Sequence, residues 1–296
     1  FKDRFGAQAA SSQELAKYTS ARIGGPADVL LTATSADQLA EMVLMVWQMG
    51  VPYLIMGGGS NMLVSDAGVR GVVILNKARK VVFDEQAPSV WAESGSNFGA
   101  VARQAARKGF TGLEWAAGIP GTVGGAVVGN AGAHGGDTAG DIVLAEVLHH
   151  KEGRQSWPPD RLAYDYRTSI LKTDPGNAVV LAASFRLAHG EPQAIQEKLN
   201  EFLAHRRRTQ PPGASMGSMF KNPPGDYAGR LIEAAGMKGL RIGGAEISGL
   251  HANFFLNHGD ATAGHEQDEG GDDGLHANPG DQHAVPHPRR GAGHQR

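Results

Sequence analysis

Two glycine-rich segments constrain this chain of 296 residues more than any other feature. The first, Gly57-Gly58-Gly59-Ser60-Asn61, directly follows a strand-like stretch at 52–56. The second covers residues 109–136, in which ten of 28 residues are glycine and most of the others are small or apolar. Glycine lets the backbone approach a ligand closely, whereas flexible linkers are richer in serine and charge. We therefore predict two backbone surfaces that together grip one extended cofactor.

Taken alone, the first segment also fits a tight turn without a ligand. Its spacing matches neither the dinucleotide-binding fingerprint nor the P-loop, so those two interpretations do not apply. The second segment favours the cofactor, because Gly118-Ile119-Pro120-Gly121-Thr122-Val123-Gly124-Gly125-Ala126 has the composition of a buried surface.

Overall composition excludes several classes of partner and cofactor. The formal net charge is −2 and no basic stripe alternates with aromatic residues, so we expect neither nucleic acid nor a membrane as a partner. The absence of cysteine excludes disulfides, iron–sulfur clusters and thiolate zinc sites, and we predict no metal site. No run of about 18 apolar residues is present. We expect a cytoplasmic protein, and because the first residue is Phe1 we expect residues to precede it.

The first predicted domain, residues 1–78, has a β-α-β pattern. Ser35 begins its helix as the N-cap, Gln38 completes a capping box, and Gly50 ends the helix. Strands are predicted at 27–32, 52–56 and 72–75.

A second domain, residues 79–190, and a third, residues 191–264, are predicted to follow. In the second domain we predict a helix capped by Asn97 or Ser96. Its strands are predicted at 89–93, 142–148 and 179–187. A helix from 192 to about 207 is predicted to connect the domains. The third domain is predicted to contain a helix at 227–235 and a strand at 252–256.

The composition changes at His265. The 32 residues from there to Arg296 contain five apolar residues, six glycines and five of the chain's twelve histidines. Because no helical or alternating pattern is present, we predict that residues 265–296 form a disordered tail.

A series of motifs over about residues 18–264 resembles one family, and the motifs occur in the family's order. The family is the UDP-N-acetylenolpyruvoylglucosamine reductases, flavoenzymes that complete UDP-N-acetylmuramate for peptidoglycan synthesis. The matching stretches are Arg22-Ile23-Gly24-Gly25-Pro26-Ala27, 57–63, 112–136, Tyr166-Arg167-Thr168-Ser169, Arg207-Arg208-Thr209-Gln210-Pro211, 217–223, Ala228-Gly229-Arg230-Leu231-Ile232-Glu233 and His251-Ala252-Asn253-Phe254.

The resemblance implies an α+β fold with a two-domain FAD-binding module of the PCMH/VAO type and a third α+β domain that binds substrate. It implies FAD as the bound cofactor and NADPH as the hydride source. Reduced FAD would pass hydride to the enolpyruvyl double bond of UDP-N-acetylglucosamine enolpyruvate. The residues implied to bind FAD are Gly57, Gly58, Gly59, Ser60, Asn61, Pro120, Gly121, Thr122, Gly124 and Gly125.

Two matched residues would carry the implied chemistry. Hydride addition leaves an enolate-like anion beside a carboxylate. The permanently charged guanidinium of Arg167 would bind the carboxylate and stabilise the anion. The anion then needs a proton on carbon, and Ser218 matches the family's serine donor. Lys221 and Asn222 are candidates for substrate binding. Without the resemblance, Arg167 also fits a surface ion pair and Ser218 a turn or cap.

Other matched residues have no assigned role. Glu233 fits a buried ion pair as well as it fits a role in the site. His251 likewise fits either a hydrogen-bonded core histidine or a role in the site. Tyr166 is expected to pack. Because Phe185-Arg186-Leu187 runs directly into the connecting helix, the chain resembles the shorter subtype, which lacks an inserted loop with a substrate-capping tyrosine.

The resemblance ends after Ala261-Thr262-Ala263-Gly264. The family continues with a helix and a strand bearing a Glu-Pro-Glu-type motif, one glutamate of which is the third catalytic residue. Neither Glu266 nor Glu269 has that context. We hypothesise that the tail is translated out of frame, which resequencing the gene would test. We predict a less stable third domain and retained FAD binding with weak or absent turnover.

Two other functions stay open at this point. One is another FAD-dependent oxidoreductase with the same FAD-binding architecture, and the other is a non-catalytic flavin-binding protein. The retained Arg167 and Ser218 favour an enzyme, whereas the missing tail glutamate favours a non-catalytic protein. We expect a monomer whose partner is a small-molecule substrate.

Overall fold

The computed structural model describes residues 1–265. The tail predicted for 265–296, apart from His265, therefore lies outside the described residues, as do Glu266 and Glu269. No helix within residues 1–265 is both long enough and apolar enough to cross a bilayer.

The first unit is a four-stranded sheet with the order β1-β2-β4-β3. Its strands are β1 (Ala9–Glu14), β2 (Pro26–Ala33), β3 (Tyr53–Met56) and β4 (Val69–Asn76), and a short helix α1 (Lys2–Phe5) precedes them. Strands β2 and β3 both run parallel to β4, which lies between them, whereas β1 is antiparallel to β2. The predicted β-α-β pattern is therefore present, with an additional edge strand.

Helix α2 (Ala36–Met49) connects β2 to β3, and local chemistry sets both of its ends. The Ser35 hydroxyl accepts a hydrogen bond from the Gln38 backbone N–H, and Gly50 ends the helix with a left-handed φ of 60°. The Gln38 side chain accepts from the Thr34 backbone N–H at 2.9 Å, a variation on the predicted capping box.

The second unit is an antiparallel five-stranded sheet with the order β11-β10-β12-β6-β5. Its strands are β5 (Val81–Asp84), β6 (Ser89–Glu93), β10 (Ile142–His149), β11 (Gly153–Trp157) and β12 (Ala178–Arg186). Small two-stranded pairs join β7 (Phe110–Thr111) to β13 (Ala188–His189) and β8 (Gly132–Ala133) to β9 (Gly136–Asp137). All three strands predicted for this unit are present.

The helices within this second unit are α3 (Phe98–Arg107), α4 (Val123–Gly129), α5 (Thr138–Asp141), α6 (Pro159–Leu162) and α7 (Ile170–Thr173). All but α5 contribute buried apolar residues to the core that they share with the sheet. Of the two caps predicted for α3, Asn97 fills the role, since its side chain accepts from the Ala100 N–H at 2.7 Å.

Helix α8 (Pro192–Thr209) leads to the third unit, and its buried Ile195 and Leu199 belong to the core of the second unit. The third unit contains α9 (Ala228–Ala234) and a small sheet of β14 (Arg241–Ile242), β15 (Ala245–Ile247) and β16 (Phe255–Asn257). The strand predicted at 252–256 begins only at Phe255, because the Phe254 N–H donates to the His251 carbonyl within a turn.

Shared apolar cores join the three units. The buried face of α2 packs with Leu148, Val179 and Leu181 of the second sheet. A smaller cluster joins Ala21 and Ile23 of the first unit to Met216 and Ala263. The Asn257 side chain also donates to the Ala21 carbonyl at 2.8 Å. The third unit is therefore seated on the loops of the first.

Candidate active site

The first glycine segment leaves the end of β3 and turns where a side chain has no room. Gly59 has a φ of 59°, and a Cβ atom there would lie 2.1 Å from the Tyr18 carbonyl oxygen. The Ser20 N–H donates to the Gly59 carbonyl at 2.9 Å, which fixes this close approach. Only glycine satisfies both the left-handed backbone and the contact.

The two glycine segments meet. A Cβ on Gly57 would lie 2.5 Å from the Thr122 hydroxyl oxygen, and a Cβ on Gly58 would lie 3.5 Å from the Cα of Gly121. A Cβ on Gly121, which has a φ of 114°, would lie 2.8 Å from the Ser60 hydroxyl oxygen. Sequence reasoning proposed two glycine surfaces around one cofactor, and the structure brings these two surfaces together.

Donors suited to a phosphate group are available on the first segment. Within residues 1–265, the backbone N–H groups of Gly57, Gly58, Gly59 and Ser60 donate no backbone hydrogen bond. Gly58 and Asn61 are exposed, so a ligand can reach this turn. Unpaired N–H groups on a tight turn form an anion-binding concavity. The segment therefore has backbone donors available for an anionic group, and its binding of the FAD diphosphate stays a prediction.

The second segment is held rigidly behind its exposed edge. Thr122 caps α4 by accepting from the Gly125 N–H at 3.3 Å, and the Gly124 N–H donates to the Ser94 carbonyl at 2.8 Å. Pro120 and Gly125 remain exposed. A Cβ on Gly124 would lie 3.0 Å from the Ser94 Cβ, so the helix start packs tightly on the residue that follows β6. The backbone behind the exposed Pro120 and Gly125 is therefore fixed in place.

Arg167 lies in a turn bounded by the antiparallel bridge between Asp165 and Thr168, and its own φ is 56°. Its guanidinium donates to the carbonyl oxygens of Asn130 at 3.2 Å and Gly132 at 2.7 Å. No carboxylate pairs with it in the described part of the chain. The surface ion pair left open by the sequence is therefore absent there, and the charge remains available to an anionic ligand.

Ser218 is exposed and follows Gly217, whose φ is 86°. A β-bridge pairs Ser218 with Phe254. Asn253 fixes the next residues, since its side chain accepts from the Phe220 N–H at 2.9 Å and donates to the Phe220 carbonyl at 2.8 Å. The hydroxyl is thus presented on a braced loop.

The two candidates for substrate binding lie just beyond. The Asn222 side-chain oxygen accepts from the Ala228 N–H at 3.1 Å, so it braces the start of α9. Lys221 is partly buried. Their assignment to substrate stays a prediction, and Asn222 has a structural role as well.

A cavity of about 610 Å³ opens between the second and third units. The basic side chains that line it are His134, His205, Arg206, Arg208 and His251, and no acidic residue of the described chain lines it. Arg167 donates to the carbonyl of Gly132, which precedes the lining residue Ala133. Ser218 pairs with Phe254, whose ring lies 4.9 Å from that of the lining residue His251. Both catalytic candidates are therefore connected to segments that line one basic cavity.

Sequence reasoning missed most of this basic cavity. Arg206 and Arg208 lie in the last turn of α8, where cations complement the helix dipole, and Arg208 already stood in a matched motif. The available signal was the run of basic residues at 205–208. His134 has a φ of 53° and stacks on Phe202 with a ring separation of 4.2 Å, a contact that the sequence alone does not specify.

The electrostatics of the cavity disfavour further positive charge. Burial lowers the pKa of His134, and the nearby charges of His205 and Arg206 lower it further, against the opposing effect of Glu201. Burial also lowers the pKa of Arg206. Within residues 1–265 the Arg206 guanidinium has no ion pair. A cavity of this kind is stabilised by an anion.

Three residues with open roles are placed as follows. Glu233 makes an ion pair with Lys238 at 2.7 Å, but Glu233 is exposed and Lys238 is half-buried, so the pair is not a buried one. His251 lines the cavity, and burial lowers its pKa. Tyr166 was expected to pack and is instead 51% exposed, because it projects from the Arg167 turn with its ring 5.5 Å from the guanidinium carbon.

Comparison with known proteins identifies the parts of the chain. Residues 27–150 match the family model of an FAD binding domain, and residues 209–266 match that of the UDP-N-acetylenolpyruvoylglucosamine reductase C-terminal domain. A UDP-N-acetylenolpyruvoylglucosamine reductase of Chloroflexus aggregans is 44% identical over 85% of this chain and 86% of its own length. The chain belongs to the UDP-N-acetylenolpyruvoylglucosamine reductase family.

Two further relatives support membership of this reductase family. The reductase of Rubrobacter xylanophilus is 46% identical over 85% of this chain and 84% of its own length. The crystal structure of the Thermus caldophilus reductase aligns with a TM-score of 0.76 at 34% identity, over 88% of this chain and 91% of that one. The predicted α+β fold, with an FAD-binding module and a C-terminal domain of this reductase family, is thereby confirmed.

Proposed function

We propose that this chain reduces UDP-N-acetylglucosamine enolpyruvate to UDP-N-acetylmuramate, a precursor of peptidoglycan, with FAD as bound cofactor and NADPH as reductant. The observation that carries the proposal is the junction of the two glycine segments, the second of which also reaches a cavity with five basic side chains, since a Cβ on Gly118 would lie 3.0 Å from the Cδ of the lining residue Arg206. The domain limits predicted from the sequence, a cytoplasmic location and a monomeric state are part of the proposal.

The residues of the chain suit the charge that this reaction develops. FAD, when bound, supplies hydride transfer at its ring. Arg167 is held by two carbonyl oxygens and uses only part of its five N–H donors, so it retains donors for the substrate carboxylate and for the enolate-like anion beside it. Ser218 presents an exposed hydroxyl that would donate the proton to carbon.

The basic cavity suits the diphosphate of the substrate. Arg206 has no ion pair among the described residues, and Arg208, His134, His205 and His251 surround the same space. An arginine presents two parallel donors to a phosphate, an interaction that is charge-assisted. Lys221 and Asn222 would bind the sugar side of the same ligand.

We further propose that this chain binds FAD normally and turns over weakly. The match to the family's C-terminal domain covers residues 209–266, and residues 265–296 carry no counterpart of the family's Glu-Pro-Glu-type motif. Without that carboxylate, Arg167 and Ser218 would act without the third catalytic residue that the family resemblance implies.

The function is tested with the purified full chain. A flavin absorbance spectrum reports FAD, and the fully reduced protein is then mixed anaerobically with UDP-N-acetylglucosamine enolpyruvate. Substrate-dependent reoxidation of the flavin in a single turnover supports the proposal even when the rate is slow. Stable FAD binding without any such reoxidation would instead indicate a non-catalytic flavin protein. Reoxidation by a different substrate class would indicate another oxidoreductase.

A further inference from the structure

We propose that Asn130 is a positioning residue for Arg167, holding the guanidinium and the turn that carries it in one arrangement. The positioning follows from contacts within this chain, and its effect on catalysis rests on the proposed function.

The backbone of Asn130 fixes the charged end of Arg167. Asn130 follows the last residue of α4 with a left-handed φ of 44°, a conformation that asparagine tolerates better than most residues. This turns its carbonyl out of the helix direction, where it accepts from the Arg167 Nη1 at 3.2 Å. Gly132 accepts from Nη2 at 2.7 Å, so two carbonyls set the plane of the guanidinium.

The side chain of Asn130 fixes the other end of the same residue. Its Nδ2 donates to the Asp165 carbonyl at 3.1 Å, and its Oδ1 accepts from the Ala139 N–H at 3.0 Å. Asp165 and Thr168 form the bridge that encloses Arg167, with each N–H donating to the other's carbonyl at 3.2 Å. Asn130 therefore contacts both the backbone turn and the guanidinium of Arg167.

Asn130 is suited to this role by its environment. It is 6% exposed, so water does not compete for these hydrogen bonds. The Arg167 turn also has an anchor independent of Asn130, since the Ser169 hydroxyl donates to the Val128 carbonyl at 2.6 Å. Loss of the Asn130 side chain is therefore expected to loosen Arg167 without unfolding the unit.

The test compares Asn130→Gly with the unsubstituted chain. Glycine adopts the left-handed φ and keeps the carbonyl, so the variant removes the side-chain links alone. Asn130→Asp is the second variant, because it keeps Oδ1 and exchanges the Nδ2 donor for a second acceptor facing the Asp165 carbonyl. Asn200→Asp is the matched control, since Asn200 is exposed and, among residues 1–265, its side chain bonds only to Gln196 on the same helix.

The first readout does not require activity. In arginine-labelled protein, restricted rotation of the Arg167 guanidinium gives resolved N–H resonances, assigned by their loss in Arg167→Lys. We expect these resonances to broaden or merge in Asn130→Gly and Asn130→Asp and to be unchanged in Asn200→Asp. Unchanged Arg167 resonances in both Asn130 variants would overturn the inference.

The second readout is the single-turnover reoxidation rate with UDP-N-acetylglucosamine enolpyruvate. We expect a decrease of about tenfold to a hundredfold in Asn130→Gly, because a small displacement of a catalytic group has an effect of this size. FAD affinity should stay within about twofold.

In the Arg167→Lys background, Asn130→Gly should have little further effect on the reoxidation rate, because contacting residues are coupled. Fully additive effects would contradict action through Arg167. Lack of reoxidation by the unsubstituted chain would contradict the proposed function, while the resonance comparison still decides the positioning.

Discussion

Gly57 and Thr122 lie so close together that a Cβ on Gly57 would be 2.5 Å from the Thr122 hydroxyl oxygen and 3.0 Å from its methyl carbon. Gly57 does not have a positive φ, so space rather than backbone strain requires glycine there. Gly57 directly follows β3 of the first sheet, and Thr122 is the N-cap of α4 in the second unit. This contact sets the distance between the two surfaces proposed to hold FAD.

Gly57→Ala is therefore expected to weaken FAD binding. The added methyl pushes the two glycine segments apart, and overpacking of this kind costs about 1–3 kcal/mol. We expect FAD affinity to fall by about tenfold or more, measured by titrating the apoprotein with FAD and following flavin fluorescence. Gly129→Ala is the matched control, because nothing lies within 4 Å of a Cβ there and its φ is not positive. Equal FAD affinity in the two variants would contradict this account.

The elements that the sequence predicts best are those with local signals at both ends. Ser35 and Gly50 delimit α2, and apolar side chains recur between them with a helical period. The bounds of the helix therefore follow directly from the sequence. Strands β6, β10 and β12 each have several buried residues. Because buried strand positions are mostly apolar, these strands were recognisable in the sequence.

Elements without such signals were missed. Strand β1 has the sequence AASSQE with no fully buried residue, and its place at the sheet edge depends on pairing with β2. The basic cavity was missed for a related reason: His134 meets Phe202 and His205 only when the second unit folds against α8. Arg167 and Ser218 came from the family resemblance, whereas the carbonyls that hold Arg167 are backbone groups that no side-chain pattern reveals.

Ser218→Ala is expected to abolish proton donation while leaving the fold intact, since the Ser218 side chain is exposed. We expect the single-turnover reoxidation rate to fall by about 10²- to 10⁴-fold, the range typical of a lost general acid. FAD affinity should not change. Ser218→Cys retains a proton donor and should recover part of the rate. Ser156→Ala, at an exposed position of β11, is the control. A Ser218→Ala rate equal to that of the control would exclude Ser218 as the proton donor.

Glu114 is expected to make stability depend on pH. Its side chain is only 3% exposed and accepts from the Thr111 hydroxyl at 2.5 Å and the Gly112 N–H at 3.0 Å. Burial is the largest single influence and raises the pKa of Glu114, but these hydrogen bonds and the charge of Lys198 outweigh it, so the pKa is lowered from 4.5.

Because the folded pKa lies below the unfolded one, the unfolded state binds more protons between the two values, and stability falls as pH decreases through that window. The stabilisation is complete above about pH 4.5, the unfolded pKa. Glu114→Gln should cost about 1–3 kcal/mol at pH 7 and should flatten this pH dependence. Urea unfolding at pH 7, 5, 4 and 3 measures both effects, because the first two values lie above the window and the last two lie below the unfolded pKa. Glu85→Gln, at an exposed position beside Lys108, is the control and should change neither.

The basic cavity is expected to bind a diphosphate with uptake of a proton. The pKa of His134 lies below 6.5, so this imidazole is largely neutral at pH 7, and a bound anion would raise its pKa. UDP-N-acetylglucosamine is the probe, because its diphosphate, unlike the terminal phosphate of UDP, gains no proton in this pH range. Its affinity should therefore increase as pH falls from 7 towards 6, and calorimetry in buffers of different ionisation enthalpy should show proton uptake. Arg206→Met should lower this affinity by about 10- to 100-fold, the worth of a charge-assisted hydrogen bond of 1.5–3 kcal/mol. Arg154→Met, which removes an exposed partner of Asp37, is the control. An affinity that is insensitive to Arg206→Met, or that weakens as pH falls, would mean that the diphosphate binds elsewhere.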